Sequence, residues 1–334
     1  KSIFVLFFNA SEKNKNINSV NKILEVLLNK NFSRNDVLIS LGGGITGDVS
    51  GFAASLFKRG LKFANIPTTL LAQVDSSIGG KTGVNSKYGK NLVGSFYQPS
   101  LVLSDIQFLK SLSKREIICG YGEILKHSLI DNKKFFSFLN KNLKKILSLS
   151  SPFIEKAIYE SCKIKKKIVE KDEKETALRK VLNFGHTFAH AYEAGLGYSH
   201  KLNHGEAVIL GMKTALNFSF KENMISKSEY NLIINHIDNS GLPSSIKKYF
   251  SIKDLNKKYD IKEIVKGKSI FCATGITSGD LMNGVIKEND KYITETIITH
   301  NKSILELVKK EVSLTWLIEK IAIKDPSLVP SSIG

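Results

Sequence analysis

The stretch that decides the fold is Asp36-Val-Leu-Ile-Ser-Leu41, followed directly by Gly42-Gly-Gly-Ile-Thr-Gly-Asp48. The first part is an apolar run of strand length, and we expect a short buried strand there. Apolar residues from Val49 to Phe57 then recur at helical spacing. Glycines between a strand and a helix let the backbone approach a ligand, and the helix N-terminus offers free N–H groups to a phosphate. The pattern favours a nucleotide-binding loop, and the alternative is a tight turn without a ligand.

The segments around this loop continue the alternation of strands and helices. We expect Lys1 to Asn9 to form a short apolar strand, and Leu61 to Ile66 to form another that Pro67 ends. Leu70 to Ser77 has a helical pattern, and we interpret Gly79 to Gly83 as a loop. Strands that alternate with helices predict a mostly parallel sheet.

From about Lys110 onward the apolar residues follow a helical period instead. The predicted helices are Ile117 to Ile130, Phe135 to Leu149, Phe153 to Lys171, Thr187 to Gly195 and Glu206 to Glu222. Two later segments, Ser269 to Thr274 and Tyr292 to Thr299, alternate like strands, and Leu314 to Ile323 is helical. We therefore predict an α/β nucleotide-binding domain over residues 1–110 and a mostly α-helical metal- and substrate-binding domain over residues 111–334.

Composition excludes several classes of protein. The 334 residues, 42% of them hydrophobic, suffice for two globular domains, and no apolar run reaches the roughly 18 residues of a membrane span. The net charge of +18 raises the question of a nucleic-acid partner, but the chain has only four arginines, the residue that such surfaces favour. We predict neither a membrane nor a nucleic-acid partner. Three widely spaced cysteines form no disulfide framework and indicate a cytoplasmic location.

A second glycine-rich segment carries cationic side chains. Lys81 lies within Gly79-Gly80-Lys81-Thr82-Gly83. This segment lacks the GxxxxGK[ST] spacing of the P-loop that binds nucleoside triphosphates. We interpret Lys81, Lys90 and Asn91 as anion contacts on this segment.

A carboxylate and several imidazoles predict a metal site. Glu123 lies one helical turn before Lys126, and His186 and His190 share a helix face at positions i and i+4. His204 precedes a further helix. One Glu and two His are a suitable ligand set for a catalytic zinc that keeps positions open for substrate oxygens. The alternative for each histidine alone is a hydrogen-bonded core residue.

Further polar side chains lie beside these histidines in the sequence. Arg179 and Asn183 are one helical turn apart, and Lys165 and Glu175 precede them. If their helices meet, so many cations near one metal suit a small substrate that bears phosphate and carboxylate groups. The alternative is a set of exposed helical lysines.

Seven segments together resemble the 3-dehydroquinate synthase family, over roughly residues 9 to 300. They are Leu41 to Ala53, Phe57 to Leu61, Ile66 to Ser86, Gly89 to Ser100, Gly122 to Ser128, Asp172 to Ala194 and His204 to Lys213. The resemblance implies that a few dozen residues of the family's cofactor domain, including its first strands, have no counterpart in this sequence.

The resemblance also implies an activity. The family converts 3-deoxy-D-arabino-heptulosonate 7-phosphate into 3-dehydroquinate and phosphate in the shikimate pathway, by transient oxidation with NAD, elimination of phosphate, re-reduction and intramolecular aldol closure. It therefore implies NAD, zinc or cobalt, a sugar phosphate substrate and a homodimer.

Site residues carried over from the family fall into three groups. Metal ligands would be Glu123, His186 and His204. NAD would contact Glu12, Lys15, Gly43, Gly44, Asp48, Thr68, Thr69, Lys81, Lys90, Phe108 and Ser111. Substrate would contact Asp75, Lys81, Asn91, Lys126, Lys165, Glu175, Arg179, Asn183 and His190, and Arg59 would reach the substrate of the neighbouring subunit. Lys262 is the nearest match to a late phosphate-binding lysine of the family.

Four other functions remain open at this point. Another sugar-phosphate cyclase of the same superfamily would form a ring from a different sugar phosphate. A metal-dependent alcohol dehydrogenase would not need the phosphate-binding segments around Lys81 and Lys90. An inactive relic would have lost NAD binding with the missing strands. A nucleic-acid binder is disfavoured by the scarcity of arginine.

Overall fold

The structure is a computed structural model that describes residues 3–221 and 223–249. Among these residues it divides into two compact units. Unit 1 comprises residues 3–120 and 154–166, and unit 2 comprises residues 121–153 and 167–249. The predicted strands at Ser269 to Thr274 and Tyr292 to Thr299, the helix at Leu314 to Ile323, and Lys262 lie outside the described residues.

Unit 1 is built around a small parallel sheet. Its elements are α1 (Ile17–Asn29), β1 (Val37–Gly42), α2 (Gly44–Leu56), β2 (Lys62–Pro67), β3 (Lys81–Ser86), β4 (Gly89–Phe96) and β5 (Leu101–Val102). The sheet has the order β1-β2-β5, and Val37 pairs with Lys62 at the start of its first ladder. Strands β3 and β4 form a separate antiparallel hairpin. The predicted strand, glycine loop and helix are thus confirmed.

The core of unit 1 lies under α2. Val49, Phe52 and Ala53 of this helix are buried with Phe63 of β2 and Val20 of α1. Burial of each valine or phenylalanine side chain here contributes about 1.5–3 kcal/mol through removal of apolar surface from water. This packing holds α2, and with it the glycine loop at its N-terminus, against the ends of the strands.

Two expectations about apolar segments are wrong. Strand β1 forms as expected but is not buried, because Ile39 and Leu41 are 60% and 58% exposed. Among the described residues α2 covers one face of the sheet, so alternate side chains of β1 point away from the core. Residues 3–10 form no strand, because a strand needs a neighbour to pair with; Phe4 instead packs edge-to-face on Phe32.

The segment after β2 differs from its expected pattern in one respect. The predicted helix at Leu70 to Ser77 is present and includes a π-helical turn, Ala72–Ser76. The expected loop at Gly79 to Gly83 is wrong from Lys81 onward, because β3 begins there and pairs with β4. Gly83 and Gly94 face each other across this hairpin at a distance that excludes a side chain. These two glycines therefore allow the strands to pair closely.

From Lys114 onward the described part of the chain is mostly helical. The helices of the second half are α3 (Lys114–Asp131), α4 (Lys133–Leu147), α5 (Phe153–Lys171), α6 (His186–Gly195), α7 (His204–Lys221) and α8 (Lys227–Asp238). All five predicted helices are confirmed. The sequence analysis missed α8, although Ser226 and Glu229 form a capping box at its start. None of the described helices has the length and hydropathy required to cross a bilayer.

Candidate metal and substrate site

Three predicted metal ligands meet in unit 2. Their ligand atoms all lie within 4.8 Å of one another. The Oε1 atom of Glu123 is 3.5 Å from Nε2 of His186 and 3.8 Å from Nε2 of His204. Glu123 comes from α3, His186 opens α6 and His204 opens α7. Residues that are far apart in the sequence thus present one oxygen and two nitrogens to a common point.

The environment of Glu123 fits a cation. Its side chain is fully buried, and its Oε1 atom accepts no hydrogen bond from any described residue. Its Oε2 atom contacts the ammonium group of Lys126, which is also buried. A buried carboxylate oxygen without a donor is costly unless a cation satisfies it. The donor set and this orphaned oxygen therefore fit a zinc or cobalt ion.

Glycines allow the three helices to approach closely enough. A Cβ atom on Gly122 would lie 2.6 Å from the carbonyl oxygen of Gly205, next to His204. A Cβ atom on Gly211 would lie 2.1 Å from the carbonyl oxygen of Gly185, next to His186. These distances are far shorter than any real contact, so the approach of α3 to α7 and of α6 to α7 requires glycine.

A second carboxylate lies beside this cluster. Glu193 contacts Nδ1 of His204, and with His190 and His204 it forms another group of potential ligands. His190 is exposed, with its ring 5.6 Å from that of His186. The sequence analysis missed Glu193. Its position three residues after His190 places it on the same helix face and could have indicated it.

The loop before α6 carries three predicted substrate residues, Glu175, Arg179 and Asn183. Arg179 is buried, and its guanidinium donates to the carbonyl oxygen of Glu173. Asn183 donates from Nδ2 to a carboxylate oxygen of Glu175 at 3.1 Å. Glu175 has a left-handed backbone with φ of +57°, which is strained for a non-glycine residue. Glu175 and Asn183 are thus in direct contact, and the convergence of these side chains with the histidines stays a prediction.

One carboxylate that the sequence analysis missed organises that loop. Asp172, at the end of α5, accepts hydrogen bonds from the backbone N–H groups of Thr176, Ala177 and Arg179 and from the hydroxyl of Thr176, at 2.8–3.1 Å. Partial burial opposes ionisation of Asp172, but these four donors outweigh it and lower its pKa below the usual value. Asp172 therefore remains ionised at neutral pH.

Unit 1 gathers predicted cofactor residues around Lys15. Its buried ammonium group contacts Asp48 and Asn91, each at 2.5 Å. Burial raises the pKa of the Asp48 carboxyl, and Lys15 opposes this shift only in part. Glu12 lies 3.8 Å from the ammonium group of Lys90. Residues from the chain start, α2 and β4 thus form one polar cluster.

Most of the remaining predicted cofactor residues lie at or after the carboxyl ends of β1, β2 and β5. Gly43 precedes α2, and a Cβ atom on it would touch Thr69 at 3.3 Å. The N–H of Thr68 donates to the carbonyl oxygen of Gly42. Gly44 begins α2, and Phe108 and Ser111 lie in a 3₁₀ turn after β5. Ligands of open α/β sheets bind at this edge.

The other predicted residues of unit 1 are placed as follows. Lys165 forms a 2.5 Å ion pair with Asp75 and also donates to the Asp75 backbone carbonyl. Lys81 is exposed at the start of β3, and Arg59 is exposed in a left-handed turn after α2. The predicted substrate residues Asp75 and Lys165 are thus in direct contact.

Family models match most of the described chain. Residues 5–119 match the model described as 3-dehydroquinate synthase N-terminal, and residues 120–263 match 3-dehydroquinate synthase C-terminal. Residues 240–311 match a different model, bacterial fructose-1,6-bisphosphatase, glpX-encoded. The resemblance extends beyond these models, because 3-dehydroquinate synthase of Aliivibrio fischeri (strain MJ11) is 42% identical over 286 residues, which is 85% of this chain and 78% of the relative.

Curated relatives agree with this assignment. The chain is 71% identical over 255 residues to 3-dehydroquinate synthase of Pelagibacter ubique (strain HTCC1062), covering 76% of this chain and 69% of the relative. It is 45% identical over 260 residues to 3-dehydroquinate synthase of Alkaliphilus metalliredigens (strain QYMF), covering 78% and 73%.

Solved structures share the fold. A 2-deoxy-scyllo-inosose synthase complexed with carbaglucose-6-phosphate, NAD+ and Co2+ is 27% identical with a TM-score of 0.70, covering 75% of this chain and 68% of that one. The 2-epi-5-epi-valiolone synthase of Streptomyces hygroscopicus subsp. jinggangensis 5008, with NAD+ and Zn2+ bound, is 27% identical with a TM-score of 0.67, covering 71% and 66%. With two family models that together span residues 5–263 and close relatives of the same name, the chain belongs to the 3-dehydroquinate synthase family.

Proposed function

We propose that the chain is a lyase that converts 3-deoxy-D-arabino-heptulosonate 7-phosphate into 3-dehydroquinate and phosphate, in the shikimate pathway. The observation that carries the proposal is the buried Glu123 oxygen, which lacks a donor and faces Nε2 of His186 and of His204. Family membership and the NAD+ and metal ions of the two solved structures support the cofactors.

Glu123, His186 and His204 would hold zinc or cobalt, and the cluster of Lys15 and Asp48 with the loop at Gly43 would hold NAD. When bound, NAD supplies a reversible hydride acceptor, and the metal supplies a Lewis acid for a substrate hydroxyl. We propose accordingly that residues 1–110 bind NAD and that residues 111–334 bind the metal and the substrate.

The protein's own part is to bind and orient an anionic substrate. Lys126 and Arg179 are buried cations, and Asn183 offers an amide on the same 3₁₀ segment as Arg179, so unit 2 suits carboxylate and phosphate oxygens. Fixed donors of this kind stabilise developing negative charge without reorganisation. We propose that Glu175 and His190 complete these contacts.

A second candidate is another sugar-phosphate cyclase. Its basis is that one neighbouring structure binds carbaglucose-6-phosphate, a sugar analogue without a carboxylate. The buried guanidinium of Arg179 favours a carboxylate-bearing substrate instead, because Arg matches a carboxylate through two parallel hydrogen bonds.

The test is phosphate release from the seven-carbon keto acid phosphate with and without NAD. We expect release that needs catalytic NAD and produces no net NADH, and no release from glucose 6-phosphate. NADH that accumulates in step with turnover would instead indicate a dehydrogenase. His186→Ala is expected to lose both turnover and bound zinc, whereas the exposed His200→Ala should keep both. Zinc and full activity retained in His186→Ala would contradict the metal assignment.

We also propose a homodimer and a cytoplasmic location. The exposed guanidinium of Arg59 and the family's quaternary structure support the dimer. The free thiols of Cys119 and Cys162 support a reducing compartment. Sedimentation at several concentrations tests the dimer.

A further inference from the structure

The ring of His204 lies between two carboxylates. Its Nε2 atom faces Glu123 at 3.8 Å, and its Nδ1 atom lies 3.4 Å from both carboxylate oxygens of Glu193. Glu193 belongs to the last turns of α6 and is only 9% exposed. A buried carboxylate against the far nitrogen of a candidate metal ligand is a specific arrangement that none of the assigned roles explains.

Two groups of potential ligands share His204. One contains Glu123 and His186, and the other contains His190 and Glu193. The first group has the orphaned oxygen of Glu123, and both of its imidazoles present Nε2 to that oxygen. The second group includes an exposed histidine. The first group is therefore the metal site, which leaves Glu193 with a different task.

The orientation of His186 shows what this task is. Its Nδ1 atom lies 3.4 Å from the carbonyl oxygen of Phe184, an acceptor that favours the tautomer with the proton on Nδ1 and the lone pair on Nε2, where a metal would bind. Glu193 is the corresponding acceptor for His204. Ligating histidines commonly donate their second N–H to a carboxylate or carbonyl, which fixes the tautomer and raises the basicity of the ligating nitrogen.

We infer that Glu193 is a positioning residue that accepts the Nδ1–H of His204 and thereby holds Nε2 ready for the metal. The inference deepens the proposed function and rests on its metal site. The loss of such a partner weakens metal affinity about 10–100-fold. Helix geometry supports the role, because His186, His190 and Glu193 share one face of α6 at positions i, i+4 and i+7.

The experiment measures metal affinity directly. Zn2+ and Co2+ are titrated into the metal-free full chain against a competing chelator, without substrate, for wild type, Glu193→Gln and Glu206→Gln. We expect one ion per chain in all three, at least tenfold weaker affinity in Glu193→Gln, and a changed visible spectrum of its Co2+ form. Glu206 is a matched control, because it is a buried carboxylate near His204 whose acceptor contact with the Asn203 N–H a glutamine can keep.

Each outcome has a defined meaning. Affinity within twofold of wild type in Glu193→Gln, or two ions per wild-type chain, would overturn the inference. If Glu193→Gln does not fold, Glu193→Asp replaces it, and its shortened carboxylate should also bind the metal more weakly; affinity within twofold of wild type would overturn the inference as well. A wild-type chain that binds no metal, or His186→Ala that binds it normally, would refute the metal proposal itself. Loss of the metal in His186→Ala together with full affinity in Glu193→Gln would refute only the role of Glu193.

Discussion

Removal of the Asp172 carboxylate should disable the substrate loop without unfolding the protein. Asp172→Ala removes the acceptor of four hydrogen bonds from Thr176, Ala177 and Arg179. These hydrogen bonds hold the strained left-handed backbone of Glu175, so their loss should let that backbone relax. Arg179 follows this segment directly, so its guanidinium should lose its fixed position.

The magnitude follows from these contacts. Asp172 is half-buried, so each bond is given the low end of the net range, about 0.5 kcal/mol, which amounts to about 2 kcal/mol for the four. At about 1.4 kcal/mol for each factor of ten, kcat/KM for the sugar phosphate should fall about 30-fold. Asp172→Asn keeps one acceptor oxygen and should lose about fivefold, since it retains about half of the interaction. Because the bonds order a loop, the free energy of unfolding should change by less than about 1 kcal/mol.

The assay is steady-state phosphate release with KM determined separately for the sugar phosphate and for NAD. The KM for NAD and the zinc content should stay unchanged, because the loop holds none of the proposed ligands for either. Asp131→Asn is the matched control, since Asp131 also lies near a helix end but forms a single ion pair with the half-exposed Lys167. Its kcat/KM should stay within twofold of wild type. An Asp172→Ala enzyme within threefold of wild type would refute the reasoning.

Two further predictions concern stability. In Gly211→Ala, the new Cβ atom would lie 2.1 Å from the Gly185 carbonyl oxygen, so α6 and α7, which carry the histidine ligands, must separate. We expect the free energy of unfolding in urea to fall by about 3 kcal/mol and the zinc to be lost. Gly197→Ala, with no atom within 4 Å and a left-handed φ of +63°, should cost only about 1 kcal/mol, and equal costs for both variants would contradict this steric argument. Burial lowers the pKa of His236 to about 4 in the folded protein, from the ordinary value of 6.5 in the unfolded chain. The free energy of unfolding should therefore be highest above pH 6.5 and fall by about 3 kcal/mol as the pH approaches 4. His236→Gln should flatten this part of the pH profile in chemical unfolding, and an unchanged slope would show that His236 is not its source.

Much of the local structure could be predicted because it depends on neighbouring residues. Apolar residues from Val49 to Phe57 recur at helical spacing, and the helix and its buried face follow. The exposure of Ile39 and Leu41 could not be predicted in this way. An apolar run specifies a strand, but only the other elements of the unit decide whether a second layer covers its outer face.

The candidate site shows the same limit. The types of ligand were apparent from Glu123, His186 and His204, and the motif glycines marked close approaches. The contribution of Asp172 was not apparent from the sequence. A carboxylate at the end of a helix has the same sequence pattern whether it binds the N–H groups of the next loop or is solvated. Its role depends on three N–H groups that the folded loop turns toward it.

The sequence by itself determined the α/β and helical halves, the glycine loop, the metal-ligand types and the family. These properties reside in residue type and short-range spacing, which the backbone geometry of helices and strands converts directly into structure. Only the tertiary structure decided that the Glu123 oxygen meets two Nε2 atoms, and that Glu193 faces the far nitrogen of His204. Such contacts depend on how closely α3, α6 and α7 pack, and that distance is set by backbone atoms meeting at glycines far apart in the chain.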